Sequence, residues 1–332
     1  MAHAVSPESP RMTGHASTPD ELMVADIGGT RMRVGLAAAS GELRDIQVFD
    51  CAAYATPLAA FTAYLASVSA CPRAACLAVA GPVDGDLVAL TNSRWRFSQA
   101  ELRTALRLER LLVRNDFEAL ALALPFLPAE DLHPIGGGAA RADCPRLVLG
   151  PGTGLGVATL VSHAGAWIAL PGEGGHAGFA PQDRIETAIA RVLRRTSPRL
   201  CNESILSGPG LEAVYRALAV IEGAPPVQRD AAAIGAAALA ASDPRALRAV
   251  EVFCAVLGSV AGDMALVTGA RGGVFVGGGI APRLLPLLDS SRFRKRFEDK
   301  ALQRAYVAAI PTAVIIAETP ALLGALAALR AG

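Results

Sequence analysis

Leu22-Met23-Val24-Ala25-Asp26-Ile27-Gly28-Gly29-Thr30, followed closely by Arg33-Val-Gly-Leu-Ala-Ala38, reads as strand, glycine turn, strand. The spacing predicts a short buried strand over Leu22 to Ile27 and a second from Arg33 to Ala38. Two glycines between them permit a tight turn whose backbone N–H groups face an anion with no Cβ in the way. Asp26 stands at the end of the first strand, where a carboxylate is able to hold a hydrated divalent cation. A cation, free amides and the Thr30 hydroxyl at one turn suit the tail of a nucleoside triphosphate.

The same grammar returns at Leu147-Val-Leu-Gly-Pro-Gly-Thr-Gly-Leu-Gly-Val-Ala158, with Gly152, Thr153, Gly154, Leu155 and Gly156 at the bend. One glycine hairpin alone is better read as a plain structural turn. Two, each followed by a strand, point to two related halves that grip one phosphate chain. No Gly-Lys-Ser/Thr follows either turn, so neither is a Walker P-loop. Both lead into strands and not helices, which excludes the Rossmann fingerprint.

The 332 residues suffice for two domains. The charged fraction is 18% and the formal net charge +1, a balance with no electrostatic pull toward nucleic acid or an anionic membrane. The longest run without Asp, Glu, Lys or Arg, Leu147 to Gly172, holds six glycines and two prolines and is no spanning helix. Residues 1–20, rich in Ser, Pro and His and without an apolar h-region, read as a disordered leader, which makes the cytoplasm the expected location. Six scattered cysteines lack a Cys-x-x-Cys pair and several sit in apolar runs, the pattern of small buried hydrophobes in a reducing compartment.

Strands and helices alternate along the rest. A helix is expected from Pro57 to about Ala70, strands over Ala75 to Ala80 and Asp86 to Thr91, and a helix to about Leu108 opened by the capping box Ser98-Gln-Ala-Glu101. Leu111 to Arg114 reads as a strand ending at Asn115, then a helix from Phe117 to Leu124. Helices over Gly210 to Val220 and Asp243 to Thr268 follow, the second interrupted by Gly258 and Gly262. Val274-Phe-Val276 is a short strand, and Thr312 to Ala317 the last, before a helix from Pro320. This is an α/β chain with mixed sheets.

Asn115-Asp116, at the end of a strand and the start of a helix, occupies the usual ligand position of α/β folds, although Asp116 would serve equally as the N-cap. Glu173 and His176 lie in Leu170-Pro-Gly-Glu-Gly-Gly-His176, a glycine-framed loop poor in core material. Glu203 precedes Ser207-Gly-Pro-Gly210, and Asn92 follows a strand as a plausible turn residue. Together these side chains offer planar acceptors and donors suited to a ring of hydroxyls. With two phosphate turns, they imply phosphoryl transfer to a sugar.

Eight ordered motifs resemble the bacterial glucokinases: Asp26 to Thr30 followed by Arg33, Thr91-Asn-Ser-Arg-Trp95, Asn115-Asp-Phe117, Gly152 to Gly156, Leu170 to His176, Leu206-Ser-Gly-Pro-Gly-Leu211, Gly277-Gly-Gly-Ile-Ala-Pro-Arg283 and Arg296-Phe-Glu-Asp-Lys300. The resemblance runs from about Leu22 to the C-terminus. It implies the actin-like ATPase (ribonuclease H-like) fold with an interdomain cleft. The expected division is a small domain of 21–126 plus about 316–332 and a large domain of 127–315. It further implies ATP and Mg²⁺ as cofactors, D-glucose as substrate and a homodimer. By carry-over, Asn92, Asn115, Asp116, Glu173, His176 and Glu203 bind glucose, with Asp116 the general base for the 6-hydroxyl. Asp26, Gly28, Gly29 and Thr30 serve the β- and γ-phosphates, Asp26 holding the metal through water. Gly152, Thr153 and Gly154 form the second phosphate turn, and Gly277, Gly278 and Gly279 pass close to the adenosine. The chain departs from the family at Arg31-Met32, where Asn-Ala is usual.

A hexose kinase of the ROK type shares the fold, but many of that class carry a Cys-x-Cys-Gly motif soon after a Gly-His. Here no cysteine follows His176 until Cys201. A sugar-responsive regulator needs a DNA-binding module, and the 20 residues before the first strand are too few for one.

Overall fold

The computed structural model describes residues 21–331 apart from positions 39 and 92. The leader expected over 1–20 and the sugar contact expected of Asn92 lie outside the described residues. The chain divides into two compact units, with the boundary between Val113 and Arg114.

The first unit opens with β1 (Leu22–Ile27), β2 (Arg31–Ala37) and β3 (Leu43–Asp50). Then come α1 (Pro57–Val68), β4 (Ala74–Val79), β5 (Leu87–Ala89), β6 (Arg96–Ser98) and α2 (Gln99–Ala105). β7 (Arg110–Asn115) carries the chain across the boundary. The main sheet has the order β3-β2-β1-β4-β7, with β1 and β2 antiparallel and β1 and β4 parallel; β5 and β6 form a separate hairpin. β4, Ala-Ala-Cys-Leu-Ala-Val, is buried at every position, as a strand covered on both faces must be. Met23, Ile27, Phe61, Tyr64, Leu77 and Trp95 make the core of this unit. Thr56 caps α1 through Ala59 N–H (3.2 Å) with Pro57 in the first turn, and Ser98 caps α2 through Glu101 N–H (3.1 Å).

The second unit begins with α3 (Asp116–Ala123), β8 (Leu132–Gly136), β9 (Arg146–Pro151), β10 (Leu155–His163) and β11 (Ala166–Gly172). Helices α4 (Arg184–Leu193), α5 (Gly208–Ile221), α6 (Ala231–Leu239) and α7 (Pro244–Thr268) follow, then β12 (Val274–Val276). The chain ends with α8 (Leu285–Ser290), α9 (Phe293–Glu298), α10 (Arg304–Ala308), β13 (Thr312–Ile315) and α11 (Pro320–Arg330). Its sheet, β11-β10-β9-β12-β13-β8, repeats the first: β9 and β10 are antiparallel like β1 and β2, and β12 runs parallel to β9 as β4 does to β1. The two glycine turns therefore occupy equivalent corners of two like sheets.

α7 is the one helix among the described residues long and apolar enough to cross a bilayer, and most of it is buried in this unit. It runs unbroken through Gly258 and Gly262, against expectation. Those glycines let α9 pack on the helix: a Cβ at Gly258 would strike the Phe293 carbonyl, and one at Gly262 would lie 2.5 Å from that of Phe297. Glu186 and Arg296, both buried, pair beside this crossing (2.9 Å), and Arg296 Nε donates to Ser259 Oγ (2.9 Å).

By packing, α11 lies in the second unit with α3. α11 seats on α3 so closely that a Cβ on Gly324 would overlap the Ala119 carbonyl, and α3 itself lies against β9, β10 and β11. Small residues on both helices hold them in the second unit.

Candidate active site

Each glycine turn belongs to one unit. In the first, Asp26, next to last in β1, is half-buried, and Arg33, its register partner on β2, donates from Nη1 to Oδ2 (3.3 Å). Burial raises the Asp26 pKa, and the Arg33 charge and hydrogen bond counteract it. The bend is closed by Gly28 N–H donating to Arg31 C=O (2.9 Å), while Thr30 is exposed. Neither Gly28 nor Gly29 has positive φ, so their value here is the missing Cβ and not a special backbone angle. A single hard carboxylate at the bend fits Mg²⁺, which keeps much of its water and takes few protein ligands. No cluster of three or more acidic, His or Cys side chains that would cage a metal exists among the described residues.

In the second unit the predicted residues form a connected set. β7 ends at Asn115, whose Oδ1 accepts from Phe117 N–H (2.9 Å) and Glu118 N–H (3.2 Å) and so caps α3. Asn115 therefore does the capping that the sequence left open to Asp116. Asp116 Oδ1 accepts from Phe117 N–H (3.0 Å). The Phe117 ring occupies the space where a Cβ of Gly156 would stand, so the start of α3 rests on the second glycine turn.

That turn joins β9 to β10. Gly152 N–H donates to Gly154 C=O (2.8 Å), and Gly208 N–H, at the start of α5, donates to Gly152 C=O (2.8 Å). Leu155 N–H donates to Glu203 Oε2 (2.8 Å), which places the Glu203 carboxylate against the bend. Gly277 packs on Leu120 of α3, and Gly278, at φ +77°, lies against the Pro151 carbonyl beside the same bend.

Glu173 and His176 follow β11 and are both exposed, with Glu173 Oε2 4.0 Å from His176 Nε2. His176 Nδ1 lies 3.9 Å from Cys201 Sγ. The contact with Cys201, then the Glu203 charge, hold the His176 pKa above its usual value. At Cys201 burial pushes the thiol up, but hydrogen bonding to Ser204 and the neighbouring His176 outweigh it, and its pKa falls below the usual one. The loop is anchored from behind by buried Asn202, whose Nδ2 donates to Gly174 C=O (3.3 Å).

Asn115–Asp116, Gly152–Gly156, Glu203 and Gly277–Gly278 thus meet within one unit through Phe117, Leu120 and Leu155, and Glu173 and His176 stand in the neighbouring loop that Asn202 and Cys201 contact. Sequence reasoning missed Phe117, Asn202 and Cys201 as supports. Asn202 and Cys201 are visible only as neighbours of Glu203, and the ring of Phe117 looks like ordinary core. Three of the six cysteines are buried as expected, Cys51, Cys76 and Cys254, and all six are free.

Residues 23–332 match the family model Glucokinase. A glucokinase of Chromobacterium violaceum is 47% identical over 303 residues, covering 91% of this chain and 87% of that protein. A crystal structure of a glucokinase from an Antarctic psychrotroph superposes with a TM-score of 0.86 at 37% identity, over 94% of this chain and 99% of that one. A ROK family glucokinase from Streptomyces griseus in complex with glucose and AMPPNP, 21% identical, shares the fold at a TM-score of 0.64, over 94% of this chain and 100% of that one. The fold is the actin-like ATPase fold of sugar kinases, and the chain belongs to the glucokinase family, enzymes that phosphorylate glucose with ATP.

Proposed function

We propose that the connected polar set of the second unit binds D-glucose and that Asp116 is the general base for its 6-hydroxyl. Asp116 takes the hydroxyl proton as O6 attacks the γ-phosphorus of ATP; the bond to the bridging oxygen breaks, and ADP leaves. Asn115 presents its side-chain amide N–H to a hydroxyl, because its Oδ1 is committed to the α3 cap. Glu173, His176 and Glu203 bind the remaining hydroxyls, and Asn92 adds a contact. Planar polar partners for each hydroxyl make the site reject sugars lacking one.

Gly152, Thr153 and Gly154 form the second phosphate turn, in which the Thr153 and Gly154 amides receive phosphate oxygens while Gly152 N–H closes the bend on Gly154 C=O, and Gly277, Gly278 and Gly279 border the adenosine. Asp26, Gly28, Gly29 and Thr30 serve the β- and γ-phosphates. Asp26 holds Mg²⁺ through water, and when bound that ion neutralises charge building on the phosphates. The enzyme works in the cytoplasm as a homodimer, without nucleic acid or membrane partners.

The observation that carries this reading is the line from Asp116 through Phe117 and Gly156 to Leu155 and Glu203, which joins proposed sugar side chains to a glycine turn. The test is a coupled ADP-release assay across glucose, mannose, fructose and N-acetylglucosamine. Glucose is expected to turn over fastest. Turnover of another hexose with none of glucose overturns the substrate assignment.

A further inference from the structure

Glu203, proposed for the sugar set, also touches the glycine turn. Its Oε2 accepts from the backbone of Leu155 (2.8 Å), the residue that follows Gly154 and starts β10. An ideal Cβ on Gly154 would stand 2.5 Å from that same Oε2 and 3.2 Å from its carboxyl carbon. The φ of Gly154 is not positive, so no backbone angle demands glycine there. Gly152, by contrast, faces open space, with nothing within 4 Å of its Cβ position. The two glycines of one turn are therefore glycine for different reasons: Gly152 leaves its surface clear, whereas Gly154 makes room for a carboxylate.

The other end of Glu203 is fixed as well. Its carbonyl accepts from Ser207 Oγ (2.8 Å), and Ser207 caps α5, whose first N–H, from Gly208, returns to the Gly152 carbonyl (2.8 Å). The segment 203–208 thus grips the turn at two points, one on each side of Thr153. Oε2 is spent on the turn, which leaves Oε1 for a sugar hydroxyl.

We propose that Glu203 is a positioning residue that couples sugar binding to the second phosphate turn, and that Gly154 serves the sugar side by admitting its carboxylate. This rests on the reading of Glu203 as a glucose contact and of Gly152–Gly154 as a phosphate turn. A hydroxyl held on Oε1 orients the carboxylate that holds Leu155, and so sets the amides of the bend. Phosphate seated on those amides fixes Leu155 and holds Oε1 in place. Coupling of this kind is reciprocal: each ligand raises affinity for the other by the same factor.

The test is calorimetric titration of glucose alone, of AMPPNP alone, and of each with the other present. It uses the full-length wild type, Gly154→Ala, Glu203→Ala and the double variant. Gly154→Ala should weaken glucose about tenfold with no nucleotide present, the scale of one lost hydrogen bond to a charged group. In the Glu203→Ala background the same change should weaken glucose less than twofold further, because the carboxylate it displaces is gone. Glu203→Ala should also weaken AMPPNP measured without sugar and abolish the mutual enhancement. Gly154→Ala that binds glucose normally and loses only AMPPNP overturns the proposal, as does full additivity in the double variant. Should Gly154→Ala not fold, Glu203→Gln decides: its amide oxygen still accepts from Leu155, so AMPPNP binding should survive while glucose weakens. Equal AMPPNP affinity in Glu203→Ala and wild type then refutes the coupling. A wild type that binds no glucose at all refutes the underlying functional reading instead.

Discussion

Replacing Asp116 by asparagine separates holding the sugar from taking its proton. The side chain sits in the first turn of α3, where Oδ1 accepts from Phe117 N–H at 3.0 Å. An asparagine oxygen accepts the same bond, so the side chain keeps its anchor. The backbone beneath is fixed independently by the two bonds to Asn115 Oδ1 and by the Phe117 ring over Gly156. Glucose affinity should consequently fall by about tenfold at most, since a neutral amide bond to the 6-hydroxyl replaces one charge-assisted bond and the remaining sugar contacts are untouched. The amide has no basicity at working pH, so the proton of the 6-hydroxyl loses its acceptor. General base catalysis supplies ~10²–10⁴-fold, or about 3–5 kcal/mol of barrier at 1.36 kcal/mol per tenfold. The assay pairs kcat from coupled ADP release with a calorimetric glucose titration on the same preparation. A variant that keeps more than about a tenth of wild-type kcat removes Asp116 from the role of base, whatever its affinity.

Asn115 is predicted to carry two duties that substitutions split. Asn115→Ala removes the α3 cap and should cost about 1 kcal/mol, lowering Tm by roughly 2–4 °C, along with glucose affinity; Asn115→Asp keeps the cap and should melt near wild type yet bind glucose poorly for want of the N–H donor. A wild-type melting temperature for the alanine variant, or wild-type glucose binding by the aspartate variant, contradicts the assignment. The raised pKa of His176 gives a pH signature: its cation, favoured by Cys201, Glu203 and Glu173, is retained to a pH above the usual imidazole range and is then lost. The glucose KM should therefore rise with pH through that raised pKa, as a charged donor gives way to a weaker neutral one, and His176→Gln should flatten the rise; an unchanged profile in the variant rules out His176 as its source.

Much of the fold is legible in local chemistry. Leu22–Ile27 and Val274–Val276 lie where apolar runs bounded by glycine place them, and α1 and α2 start at the caps that Thr56-Pro57 and Ser98 announce. What the sequence hides is contact over long separations. Gly258 and Gly262 look like helix breakers because propensity counts only the helix they sit in; α9, some 30 residues further on, supplies the reason they are tolerated. α11 carries no sign that it joins the second unit, because its partner α3 lies about 200 residues earlier and the pairing depends on surface shape.

The site shows the same limit more sharply. Chemistry-bearing side chains stand out where the surroundings are poor core material, so Glu173 and His176 draw notice in a glycine-rich loop, and Asp116 at a strand's end. The glycines of the second turn, however, all look alike in sequence, where phosphate binding is reason enough for all of them. The structure gives each a separate neighbour: open space for Gly152, the Glu203 carboxylate for Gly154 and the Phe117 ring for Gly156. Only one of the three has the clear surface that an approaching phosphate needs. The other two are glycine because the Glu203 carboxylate and the Phe117 ring come within van der Waals reach of β10. A glycine-rich turn in this fold thus records how closely the sugar machinery crowds it, and substitutions at Gly154 and Gly156 should read out on the sugar before the nucleotide.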